Sequence, residues 1–153
     1  MNTREVMGLI ETILCDTHTA VLATIDKEGN PKMRWVTPGC LNERPDALYM
    51  ISASNFAKII QIQHNNLSEI MIQTKALDKV INIRGCISIL KNPGLRSKVL
   101  ENIGKYLSAF WKVNRPEDEM VVLEFVIDEA TVYYPMKGTK IIVPFEPLEE
   151  SHA

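Results

Sequence analysis

The chain has 153 residues, 46% of them hydrophobic and 24% charged, and 17 Lys and Arg against 19 Asp and Glu leave a formal charge of −2. That length fills one core and is short for two; the charge balance lacks the basic surplus of a nucleic-acid footprint, and no apolar run is long enough to span a membrane. Three widely spaced cysteines, Cys15, Cys40 and Cys86, make no CxxC pair and no disulfide framework, which points to a reducing cytoplasm with the thiols as small buried hydrophobes.

Residues 3–15 are predicted to form a helix. Val6, Ile10, Ile13 and Leu14 share one face, Asn2 or Thr3 can cap it, and Glu11 and Thr12 interrupt the apolar run a secretory signal would need. A hairpin follows, "TAVLATID" and "KMRWVTPG" joined by the turn signal Asp26–Pro31. "NERPD" (Asn42–Asp46) predicts another turn and "ALYMIS" a third strand. The stretch "ISASNFAKIIQIQHNN" then enters a helix that runs to about His64. "SEIMIQTK" alternates as a half-buried strand does, and "KVINIRGCISIL" is a longer strand with Gly85 inside it. Asn92 caps a further helix at whose first position Pro93 is well suited, with Leu95, Val99, Ile103, Leu107 and Phe110 along one face. "MVVLEFVIDEATVYYP" reads as two strands across a turn at Asp128–Glu129, and "FEPLEESHA" as a frayed acidic end.

This order lacks the strict strand–helix alternation of a parallel sheet. It predicts a mainly β (α+β) domain, six or seven antiparallel strands in a barrel or sandwich with three helices, over residues 1–145, with an acidic tail over 146–153. His18, His64 and His152 are scattered, so no metal site is expected. There is no GxSxG, HExxH or P-loop signature, and the pairs Asp118/Glu119 and Asp128/Glu129 read as solvated turn acids. No catalytic side chain can be named.

Three features carry what chemistry there is. Arg34 stands in a strand between apolar Met33 and Trp35, near the expected core. It either faces solvent or a carboxylate, or offers its planar fork to a phosphate or a heterocycle carbonyl. Ser54 or Asn55 caps the helix bearing Lys58; the same helix end and lysine can hold an anion. In "YLSAFWKVNRP", Phe110 and Trp111 are neighbours that cannot share a direction, so one can be core while the other stacks on a ring or meets a second subunit.

In order and spacing these segments resemble the pyridoxamine 5′-phosphate oxidase-like flavoproteins, in particular their general-stress-protein branch, from roughly Thr17 to Tyr134. The first hairpin carries a Gly-x-Pro-x-x-Arg run as Gly29, Pro31 and Arg34. The next strand and helix carry a hydroxyl residue and Lys-x-x-x-Ile-x-x-Asn as Ser52, Lys58, Ile62 and Asn65, and "INIRGCISIL" resembles the family's glycine-interrupted strand. The resemblance implies a split β-barrel with peripheral helices, a homodimer with FMN in clefts at the subunit interface. It implies Arg34 and Lys58 on the phosphate, with Ile51, Ser52 and Ser54 near it. Trp35, Val36 and Thr37 would border the isoalloxazine, and Trp111 would reach in from a second subunit.

The function so implied is FMN-dependent oxidoreduction of a small molecule, with no protein general acid or base required. The alternative is a non-catalytic flavin, haem or deazaflavin binder, or a stress sensor, of the same fold. Phe56 stands where the family often has Ser, Gly39 where the oxidase proper has a basic residue, and Val80 where a Gln is common. With no Trp- and Arg-rich closing segment either, pyridoxamine phosphate oxidase activity itself is not expected.

Overall fold

The computed structural model describes residues 1–53, 57–104 and 120–145. The first helix, α1 (Thr3–Thr17), opens on a capping box in which the Asn2 side chain accepts from the Glu5 N–H at 2.9 Å and the Asn2 N–H donates to Glu5 Oε1 at 3.3 Å. It closes on His18, left-handed at φ 57°, whose N–H donates to the Leu14 carbonyl at 2.8 Å. Its apolar stripe, Val6, Ile10, Ile13 and Leu14, is buried as the spacing predicts.

Eight strands follow among the described residues: β1 (Ala20–Ile25), β2 (Pro31–Val36), β3 (Gly39–Leu41), β4 (Arg44–Ala53), β5 (Leu67–Gln73), β6 (Val80–Ile89), β7 (Met120–Tyr134) and β8 (Thr139–Pro144). Seven form one path, β2-β1-β5-β6-β7-β4-β3, with β8 paired to β7 off it. All pairings are antiparallel. The sheet curls into a split barrel with α1, α2 (Ala57–His64) and α3 (Pro93–Ile103) around it.

The concave side is filled by Leu22, Met50, Ile70, Ile83 and Phe125, closed by α1 and by Ile59 and Ile62 of α2. Fully burying each such side chain stabilises the fold by about 1.5–3 kcal/mol. A second cluster lies on the opposite face of β4 and β7, where Tyr49, Ile51 and Val122 pack under Val99 and Ile103 of α3. Covered on both sides, β4 is buried continuously from Ala47 to Ala53. The Asn92 side chain caps α3, accepting from the Leu95 N–H at 3.2 Å, with Pro93 first in the helix.

The C-terminal strands differ from the sequence reading. Asp128–Glu129 is no turn, because β7 runs unbroken from Met120 to Tyr134. Arg84 faces Glu129 while Gly85 faces Ile127, so Asp128 is the extra residue of a bulge. The bulge shifts the burial alternation by one residue, and that break in period is what imitated a turn. The hairpin instead reverses at Pro135–Gly138, with Gly138 at φ 65° and β8 beyond it. The expected helix face at Leu107 and Phe110, and the pair Asp118/Glu119, lie outside the described residues.

Candidate functional site: a cation pair beside an edge strand

Arg34 belongs to β2, which ends the sheet path and, among the described residues, pairs only with β1. Its outer side therefore leaves backbone donors and acceptors for another molecule. Alternation turns the flanking residues outward, Trp35 74% and Met33 69% exposed, so Arg34 faces the barrel side and its neighbours are not core. There Nη1 donates to Thr24 Oγ1 at 2.7 Å and Nη2 to Gln61 Oε1 at 2.5 Å, while Thr24 Oγ1 donates to the same Gln61 oxygen at 2.9 Å. Thr24 is a buried residue of β1, set diagonally from Arg34 across the ladder, where Leu22 is Arg34's direct partner.

Lys58 and Gln61 lie one turn apart on α2 and share a face, while Ile59 and Ile62 anchor the helix to the core. Burial, and then the positive charge of nearby Arg34, push the Lys58 ammonium down to about 8. Burial also lowers Arg34 from its ordinary value. Two cations thus share one partly desolvated corner, and the hydrogen-bond partners of Arg34 there are neutral. Such a donor set fits a dianionic phosphate.

The other candidates divide by direction. Ser52 is fully buried and its Oγ donates to the Ala53 carbonyl at 3.3 Å. Ile51 points the opposite way, under α3, and Val36 is buried in the main core, which leaves their backbones as what either can present to a ligand. Ser54, Asn55, Phe56 and Trp111 lie outside the described residues. Sequence reasoning missed Thr24 and Gln61; the signals were a polar residue at an inward position of β1 and a glutamine three residues after Lys58.

Thr37 and Gly39 line a cavity of about 280 Å³ between α1, the β2–β3 link and α3. A Cβ on Gly39 would come within 2.6 Å of Ile103 Cγ1, so close packing of α3 explains why no basic side chain stands there. Cys15 and Cys40 border the same cavity. Burial, with the charges of Glu11 and Cys15, pushes the Cys40 thiol up to about 12, so it stays protonated. The cysteines are not the buried hydrophobes expected, since Cys15 is exposed and Cys40 and Cys86 are half-buried. Among the described residues no group of three or more His, Cys, Asp or Glu is placed to hold a metal ion.

Neither family models nor curated proteins give a match to the chain. Solved structures do. The General Stress Protein 26 from Bacillus anthracis str. Sterne superposes with a TM-score of 0.66 at 20% identity, over 90% of this chain and 98% of that one. A pyridoxamine 5′-phosphate oxidase-related, FMN binding protein from Nostoc punctiforme gives 0.63 at 12% identity, over 94% and 96%. A heme binding protein from Mycobacterium smegmatis gives 0.71 at 17% identity, over 93% of this chain and 57% of that one. The chain has the split-barrel fold shared by pyridoxamine 5′-phosphate oxidase-related, general stress and FMN-binding proteins.

Proposed function

We propose that the chain is an FMN-binding flavoprotein that works as a homodimer in oxidoreduction of a small molecule. The observation that carries this reading is the Arg34–Lys58 cation pair held beside the free edge of β2. Arg34 and Lys58 bind the phosphate, and the outward edge of Trp35, Val36 and Thr37 offers alternating N–H and C=O groups to the polar rim of the flavin ring. When bound, FMN supplies hydride or electron transfer. The protein's part is to bind and orient the ring and keep water from it. A reducing cytoplasm suits the unpaired thiols.

Support for the dimer comes from the convex side of the sheet. Trp35, Val21 and Met71 stand side by side across β2, β1 and β5, with Met33 next to Trp35 on the same face and Leu67 farther along β5 beyond Glu69, and of these five apolar residues all but Val21 are exposed. Asn82, opposite Met71, has a buried Oδ1 without a hydrogen-bond partner. An apolar patch of this kind suits a second copy of the same surface. The test is FMN titration with light scattering on the purified protein: a flavin spectrum on a dimer is expected, and Trp35→Glu should give monomers. A chain that takes up no FMN sinks the proposal.

The Lys58 pKa sets a pH dependence. The phosphate binds the charged lysine, and the unliganded lysine loses its proton near pH 8. FMN affinity should therefore fall as pH rises above about 8, by up to about tenfold per pH unit, while riboflavin, without a phosphate, should not follow. Lys58→Arg, which stays charged, should remove the fall. An identical alkaline profile for both ligands would count against Lys58 as a phosphate ligand.

A second reading, a non-catalytic binder, is favoured by the fold's similarity to a heme binding protein. Reduction of bound flavin by NADH or NADPH, followed by reoxidation with candidate acceptors, separates the two: binding without turnover supports the binder. A Soret band on haem addition, altered by replacing His18 or His64, supports haem.

A further inference from the structure

We propose that Gln61 is a positioning residue for the anion site: with Thr24 it holds the Arg34 guanidinium through neutral acceptors, so that the arginine's charge is kept for an incoming phosphate group. The inference rests on the phosphate reading of Arg34 and Lys58.

The contrast with Arg44 of β4 and Arg84 of β6 motivates it. Arg44 meets Glu124 at 3.3 Å and Arg84 meets Glu129 at 3.7 Å, carboxylates that offset their charge. Arg34 instead meets an amide oxygen and a hydroxyl, which bond to each other and close a triangle with it. Neutral acceptors fix the plane of the guanidinium and use only part of its donor fork. Because Gln61 and Lys58 share a face of α2, the helix delivers a second cation and the arginine's anchor to the same corner. In the sequence Gln61 is marked only by its spacing from Lys58; its oxygen gains a partner once β1, β2 and α2 have converged.

A simpler role for Gln61 is to satisfy a partly buried arginine for the sake of the fold. Glutamate distinguishes the two roles, because a carboxylate of the same length would hold the guanidinium at least as well. If Gln61 keeps the charge available, Gln61→Glu should retain or raise Tm and leave riboflavin binding within about twofold, yet weaken FMN by about tenfold or more through neutralisation of Arg34 and repulsion of the phosphate. Gln61→Met, neutral and without the acceptor, should weaken FMN selectively but less than the glutamate does, and it reads the same role if the glutamate variant folds poorly. All three proteins are titrated with FMN and with riboflavin at pH 7. The inference is overturned if Gln61→Glu binds FMN as tightly as the unaltered chain, if both ligands weaken equally, or if Gln61→Met weakens FMN the more. If the unaltered chain does not prefer FMN to riboflavin, the phosphate reading has failed and the inference falls with it; a preserved preference with an unaffected glutamate variant sinks the inference alone.

Discussion

Arg34→Ala should raise the Kd for FMN by about 100-fold while changing riboflavin binding by less than about threefold. A hydrogen bond to a charged group contributes about 1.5–3 kcal/mol, and about 1.4 kcal/mol is a tenfold change in affinity, so losing the guanidinium's contacts to a phosphate reaches that size. The substitution also leaves buried Thr24 and half-buried Gln61 without their common partner, at a cost of about 1–3 kcal/mol in stability. Circular dichroism melts on the same samples separate that loss from the binding effect. Arg34→Lys, which keeps the charge but not the planar fork, should fall between the two. Equal losses for FMN and riboflavin would remove Arg34 from the phosphate role.

Gly85→Ala should be strongly destabilising. An added Cβ would run into the backbone carbonyl of Val126 and lie 2.8 Å from Phe125 Cε1. Neither can give way: the carbonyl belongs to the β6–β7 ladder beside the Asp128 bulge, and Phe125 is fully buried. Overpacking of this kind costs about 3 kcal/mol or more, a fall in Tm of roughly 6–12 °C for a chain of this size. Gly8 is the control, because its site in α1 has no atom within 4 Å of an added Cβ. Gly8→Ala should stabilise by about 0.5–1 kcal/mol through helix propensity. Urea melts of the two variants should therefore shift in opposite directions, and a Gly85→Ala melt matching the unaltered chain would refute the close approach.

Much of the fold is written in local pattern. Capping residues and a four-position apolar stripe set α1, the Asp26–Pro31 turn joins β1 to β2, and Asn92 with Pro93 opens α3. Each rests on contacts within a few residues, where a linear pattern and its structure are nearly the same thing. The period broke at Asp128, and a strand bulge was mistaken for a turn because both interrupt alternation with polar residues. Only the partner strand, skipping from Arg84 to Gly85, tells them apart.

For the candidate site the division is sharper. Arg34 and Lys58 stand out as cations in suggestive surroundings, and the order of their segments pointed to a flavin-binding barrel. Which way Arg34 faces was not readable: Met33 and Trp35 looked like core, yet they are exposed and the charged residue turns inward. Hydrophobicity in a strand says that a face is covered, not whether by its own chain or by another molecule. The sequence by itself therefore established the element types, the antiparallel β character and two of the site's charges, all of which depend on neighbours in the chain. Tertiary structure alone decided that Thr24 and Gln61 hold Arg34 without cancelling its charge, that α3 keeps position 39 a glycine, and that β2 is an edge. Those outcomes depend on segments far apart in the chain meeting within a few ångströms, and no periodicity records such a meeting.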